Sequence, residues 1–198
     1  MIRTLLLSAL FAAAAASGAQ AQIAASAYVE QIGDANRATI TQARGSASTA
    51  ARIQQRGDNN TAGVRQEAGS AYADVAQFGN GNGAGVLQQG DAGGRATVGQ
   101  NGNGNQASVT QMASVTAHAA SIQQDGDRNS IALNQSGEGN SATLTQDGDD
   151  NGMVVAQSGA GNALNWTQVG SNLSAPAVIM DGVGKTLTIT QTSIVTPK

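Results

Sequence analysis

Residues 124–135 read Gln124-Asp125-Gly126-Asp127-Arg128-Asn129-Ser130-Ile131-Ala132-Leu133-Asn134-Gln135, and at Gln135 the pattern starts again. Gln146, Gln157 and Gln168 follow at steps of 11. Two residues after each Gln comes a glycine (Gly126, Gly137, Gly148, Gly159, Gly170), and five after it an asparagine (Asn129, Asn140, Asn151, Asn162). A short fixed period decides the architecture before any single residue does.

Worked outward, the column runs Gln31, Gln42, Gln55, Gln66, Gln77, Gln88, Gln100, Gln111, Gln124, Gln135, Gln146, Gln157, Gln168, then Met180 and Gln191. Two residues before each stands an apolar residue: Val29, Ile40, Ile53, Val64, Val75, Val86, Val98, Val109, Ile122, Leu133, Leu144, Val155, Trp166, Val178, Ile189. Four before, alanine prevails from Ala27 to Ala120, and mostly larger residues follow: Ile131, Ala142, Met153, Leu164, Pro176, Leu187. Offsets of −4, −2 and 0 have period two, which is a strand with one buried face. Residues between them, such as Thr39, Thr41, Ser108, Thr110, Thr143 and Thr145, are expected to point outward. Recurrent Gly and the lack of a 3.6-residue period exclude helix. Gly and Asn after each strand suit tight turns.

The arms alternate in kind. Asn36, Asn60, Asn82, Asn105, Asn129 and Asn151 recur at 22 to 24 residues, whereas Thr49, Ala71, Gly94 and His118 stand in the intervening arms of the first half. The unit is therefore strand-turn-strand. Each of its two aliphatic residues contributes roughly 1.5–3 kcal/mol on burial, while ordering the backbone costs about 1–2 kcal/mol per residue. One unit cannot fold alone; stacked units can. The expectation is an all-β fold: a β-solenoid of two parallel sheets with strands of about five residues, rungs about 4.8 Å apart, and inward Gln and Asn ladders.

Residues 1–21 read as a secretory signal peptide: Arg3, the apolar run Leu5–Ala16, and Ala19-Gln20-Ala21 as cleavage site. The run is shorter than the roughly 20 residues a membrane span needs. The solenoid is expected over 22–191, with a tail at 192–198. There is no Cys, so stability comes without disulfides. Charged residues are 12% and net charge is −3, which argues against nucleic acid and against a basic membrane-binding face.

The run Gln-x-Gly-x-x-Asn-x-Ala-x-x-x-Gln, complete at 31–42, 55–66, 77–88, 100–111 and 135–146, resembles the repeat of curli subunits, the curlin family. The resemblance implies a subunit, or nucleator, of a functional extracellular amyloid fibre. It further implies self-association, association with related curlin subunits, export through an outer-membrane curli secretion pore, and a place at the cell surface in biofilm matrix and adhesion. The family repeat usually carries Ser six residues before the first Gln. Here that position is Ala25, Thr49, Ala71, Gly94 or His118. The other reading is a soluble monomeric β-solenoid that binds calcium or a surface, of the adhesin or ice-binding type.

No residue set points to catalysis, a cofactor or a small-molecule substrate. Asp147-Gly148-Asp149-Asp150-Asn151-Gly152 matches the start of an EF-hand loop, but Ser158 stands where the closing Glu belongs. Gly182-Val183-Gly184-Lys185-Thr186 is followed by a strand pattern rather than the helix of a phosphate loop. His118 reads as a plain turn residue and Trp166 as core filling. The expected self-assembly core is the Gln column from Gln31 to Gln168 with the apolar column from Ile40 to Trp166. Asp34, Asp58, Asp127 and Asp149, three residues after alternate Gln, are expected to stack as an acidic column. Two charges about 4.8 Å apart repel by roughly 1 kcal/mol in water, so this column is expected to restrain premature assembly, and acid, salt or calcium to relieve it.

Overall fold

In a computed structural model, residues 25–43 and 48–193 are described. The expected signal peptide and the end of the tail lie outside them. Fifteen strands follow one another: β1 (Ser26–Ile32), β2 (Arg37–Gln42), β3 (Ala50–Arg56), β4 (Thr61–Ala68), β5 (Ala71–Phe78), β6 (Gly83–Gly90), β7 (Gly94–Asn101), β8 (Gln106–Ala113), β9 (His118–Asp125), β10 (Ser130–Gly137), β11 (Ser141–Asp147), β12 (Gly152–Ala160), β13 (Ala163–Val169), β14 (Val178–Val183) and β15 (Thr186–Thr192). The odd-numbered strands form an eight-stranded sheet and the even-numbered ones a seven-stranded sheet, each in simple order. Every pairing is parallel. The chain is an all-β solenoid of about seven turns.

The strands are longer than the expected five residues, at six to nine. In most strands pairing continues past the Gln, because the turns stack as well. Gly57 N–H donates to Ile32 O at 2.9 Å and Asn59 N–H to Asp34 O at 2.9 Å, and the same two bonds recur up the column. A backbone group in the turn thus finds its partner one rung away, where an isolated hairpin would have to close on itself.

Register follows the Gln column throughout: Gln31↔Gln55, Gln55↔Gln77 and Gln77↔Gln100 in one sheet, Gln42↔Gln66 and Gln66↔Gln88 in the other. A one-residue slip would turn each apolar column outward, so burial fixes it. Side chains from Ile53 to Trp166 at the −2 position are buried, and both sheets' inner faces merge into one core. Trp166 fills that core as expected, fully buried, with its indole N–H on Gln191 Oε1 at 3.0 Å.

The last rung departs from the expected pattern. Pro176 was placed inward by its offset from Met180; it is exposed instead, and Ala175 packs on the core. β14 begins only at Val178. The step from Gln168 to Met180 is one residue longer than its counterparts, and proline, lacking a ladder donor, is expelled from the strand.

Candidate functional site

The inward glutamines form two continuous amide ladders. In the eight-stranded sheet, Nε2 of Gln31 donates to Oε1 of Gln55, and the chain of donation continues through Gln77, Gln100, Gln124, Gln146 and Gln168 to Gln191, at 2.6 to 2.9 Å. In the seven-stranded sheet it runs from Gln42 through Gln66, Gln88, Gln111 and Gln135 to Gln157, at 2.8 to 3.0 Å. From Gln42 to Gln168 the second N–H of each amide crosses the core to a backbone carbonyl of the opposite sheet, as Gln55 does to Arg37 O and Gln66 to Ala50 O. Both amide donors are used within the interior, where an unmade bond would cost about 1–3 kcal/mol.

The ladders have a direction. Every Nε2 points toward the C-terminal rungs, so Gln31 and Gln42 present acceptor oxygens at the N-terminal end and Gln191 presents a donor at the other. Gln157 reaches only the thioether of Met180, at 3.7 Å, and that ladder stops. At both ends inward residues are only partly covered among the described residues: Val29, Ala38 and Ile40 at one, Val178 and Ile189 at the other. Of the expected assembly core, Ile40, Gln31 and Gln42 are half-buried at this open end, and the rest, from Ile53 to Gln168, is buried.

Two turn edges flank the sheets. At the first, which follows odd-numbered strands, Asn36, Asn60, Asn82, Asn105, Asn129 and Asn151 make a second ladder. Oδ1 of Asn129 accepts from Asn151 N–H at 3.0 Å, and its Nδ2 donates to Gly148 O at 2.7 Å. Asp34, Asp58, Asp127 and Asp149 do stack. The carboxylates of Asp58, Asp127 and Asp149 each accept the backbone N–H of the turn before: Asp34 N–H bonds Asp58 Oδ1, Asn103 N–H bonds Asp127 Oδ1, and Asp127 N–H bonds Asp149 Oδ1 at 2.8 Å. Asp58 and Asp127 are separated by Asn80 and Asn103 in the same column.

His118 is a correction to the sequence reading. It is buried in the asparagine slot of the second turn edge, not exposed in a turn. Its Nδ1 accepts from Asn140 N–H at 3.1 Å and its Nε2 lies 2.9 Å from Met112 O. Those partners require a neutral ring with its proton on Nε2, so the imidazole reproduces the acceptor and the donor of an asparagine amide. The signal available in the sequence was its position, six residues before Gln124.

The first turn edge also carries Arg128, which grips Asp150 of the next rung through two bonds of 2.7 Å. That hydrogen bond, ahead of simple charge attraction, holds the Asp150 carboxyl below the usual range. On the outer face of the eight-stranded sheet, Arg95 lies over Tyr72 at 4.4 Å and Arg56 over Phe78 at 5.6 Å, contacts the repeat pattern did not reveal. Among the described residues no three His, Cys, Asp or Glu side chains converge to hold a metal ion.

The family model described as curlin associated repeat matches residues 119–148 and 126–159. The chain carries curlin-type repeats. No match was found among curated proteins or among solved structures. The matched residues, 119–159, run from β9 into β12 and hold Asn129 and Asn151 at the first turn edge and Asn140 at the second; His118 and Asn162, the partners of Asn140 in its ladder, flank them.

Proposed function

We propose that the chain is a secreted structural subunit, or the nucleator, of curli-like extracellular amyloid fibres that serve biofilm matrix and adhesion. In this reading residues 1–21 are a removed leader, 22–191 build the solenoid, and partners are further copies, related curlin subunits and an outer-membrane secretion machinery. The curlin-type repeats suggest the class of subunit. The observation that carries the reading is the pair of ends left open among the described residues: half-covered aliphatics, unpaired strand edges and a directional amide ladder with acceptors at one end and a donor at the other. Such an edge is a template for another chain.

A surface-binding monomer is the second reading, favoured by the outward ranks Thr143/Thr145, Asn165/Thr167 and Thr188/Thr190, which stand in register over three rungs. Purified protein lacking residues 1–21, held in solution for days, separates the two: fibres with a cross-β repeat near 4.8 Å are expected, and a persistent monomer without that signal overturns the fibre reading. Val109→Asp, which puts a charge at a buried position, is expected to abolish fibre growth, while Thr110→Asp on the outer face slows it far less. Equal effects would mean that burial at this rung does not govern assembly.

A further inference from the structure

The fifteen described strands divide unequally, eight in one sheet and seven in the other. That parity constrains how one copy can sit on the next. If copies were stacked by translation alone, β1 of the incoming copy would land on β15, and its β2 would face β14 across an empty strand position about 4.8 Å wide. Two strand edges would then confront each other with their N–H and C=O groups unpaired, inside the stack.

We infer that successive copies are related by a half-turn about the stacking axis, with β1 of the incoming copy seated on β14 and β2 on β15. This rests on the fibre reading above and adds the geometry of its joint. Short turns join consecutive strands of opposite sheets, so the two sheets run in opposite directions. A half-turn about the axis exchanges the sheets and reverses strand direction together. β1 therefore arrives in the seven-stranded sheet with the correct polarity and becomes its next strand, while β2 extends the eight-stranded sheet. Neither sheet is interrupted. Continuing the established register, Gln191 meets Gln42, its Nε2 donating to the open Oε1, and Ile189 covers Ile40.

The turn edges give an independent observation. The half-turn places the incoming Gly33–Asn36 turn on Gly182–Lys185, because Val183 stands three residues after Met180 as Asp34 does after Gln31. Lys185 is the one lysine among the described residues, and it is exposed. Its backbone N–H already bonds Asn162 Oδ1 at 3.0 Å, in the asparagine slot. Its side chain lies over Gly182, with Cε 3.3 Å from where a Cβ would stand. In the two rungs below, that place is taken by the next rung's glycine carbonyl, Gly159 O above Gly137 and Gly182 O above Gly159. An incoming copy displaces the lysine and offers it the Asp34 carboxylate. Translation would put Asp34 at the opposite edge, away from Lys185.

The test uses the absence of cysteine. Rungs about 4.8 Å apart suit the Cα separation of a disulfide, about 4.4–6.8 Å. With Gln191 over Gln42, outward Thr190 stands over Thr41; translation would put it over Glu30. Positions 41 and 190 lie at opposite ends of one copy, so a bond between them joins two copies. Fibres of Thr41→Cys/Thr190→Cys are expected to give a covalent ladder on non-reducing denaturing gels, at least tenfold stronger than fibres of Glu30→Cys/Thr190→Cys. The reverse pattern, or fibres in which neither pair bridges, overturns the half-turn and leaves the fibre reading standing. If the parent chain and both variants form no fibres, the fibre reading itself falls.

Discussion

The edge that follows the odd-numbered strands repeats almost without change, whereas the edge that follows the even-numbered strands changes composition half-way along the stack. At the first edge, Gly33, Gly57, Gly79, Gly102, Gly126 and Gly148 have φ between +106° and +120°. A Cβ on any of them would stand 2.0 to 2.2 Å from the next glycine's carbonyl oxygen. The asparagine ladder beside them runs unbroken from Asn36 to Asn151, where Leu173 N–H takes the last acceptor. At the second edge, Thr49, Ala71, Gly94 and His118 occupy the slot before Asn140 and Asn162. The step between glutamines varies from 11 to 13 there and stays at 11 at the first edge as far as Gln157. The difference teaches that one satisfied edge is enough to hold the rung spacing, and that the other can then accept insertions.

The sharpest way to break that contrast is to remove one polar side chain from each edge's slot. Asn129→Ala leaves Asn151 N–H without its acceptor and Gly148 O without its donor, both in the interior. Each orphaned group costs about 1–3 kcal/mol, so urea unfolding is expected to show a loss of about 2–6 kcal/mol. Thr49 at the second edge is buried with its hydroxyl unpaired. Thr49→Val keeps the shape and removes that polar atom, so a gain of about 1 kcal/mol is expected. Equal losses for both would mean that the two edges carry the same stabilisation.

The sheets and their register were legible because period two, apolar identity and the 11-residue step all pointed to one answer. The slot residues were legible only where they were asparagine. His118 escaped because a turn position, read along the chain, does not show whether stacking will cover it; burial there comes from the rungs on either side. Pro176 escaped for the opposite reason: its offset was inward, but a residue without a ladder donor leaves the strand, and Ala175 takes the contact. Spacing put the aspartates in one column, but the backbone N–H groups that the Asp58, Asp127 and Asp149 carboxylates accept could not be read from it.

His118 allows a finer comparison, since it stands where the second edge begins to resemble the first. His118→Leu strands Asn140 N–H and Met112 O, and a loss of about 1–3 kcal/mol is expected. His118→Asn retains an acceptor for Asn140 and should recover part of that loss. Amide exchange at Asn140 checks the mechanism directly: faster with Leu, near the parent with Asn. If Leu matches the parent, the imidazole is merely filling space.

The acidic column at the first edge tests whether a structural ladder also restrains growth, as we propose. Asp127→Asn with Asp149→Asn keeps the side-chain oxygen that accepts the backbone N–H and removes two neighbouring charges. The repulsion removed is on the order of 1 kcal/mol, so faster fibre growth at neutral pH and low salt is expected, with the salt dependence reduced. Growth rates equal to the parent's would leave these aspartates as turn acceptors alone.

The smallest expected effect concerns the ion pair that bridges two rungs of the first edge. Arg128 and Asp150 both sit at positive φ, +57° and +58°, and Asp150→Asn suits that backbone equally well, because Asn tolerates the left-handed region as Asp does. The substitution therefore isolates the charge. The Asp150 carboxyl is held below its ordinary range in the folded state by the hydrogen bond from Arg128, which outweighs the opposing desolvation; the guanidinium charge adds a lesser lowering. A depressed folded value contributes stability above the unfolded carboxylate value, about 3.9, and that contribution is lost as pH falls through the folded value. The parent is thus expected to be slightly more stable than Asp150→Asn at neutral pH, and the gap to close below about pH 4. Both groups are exposed and the bond is screened, so the gap should also shrink with added salt. A difference that persists unchanged at low pH would assign the effect to turn geometry and not to the pair.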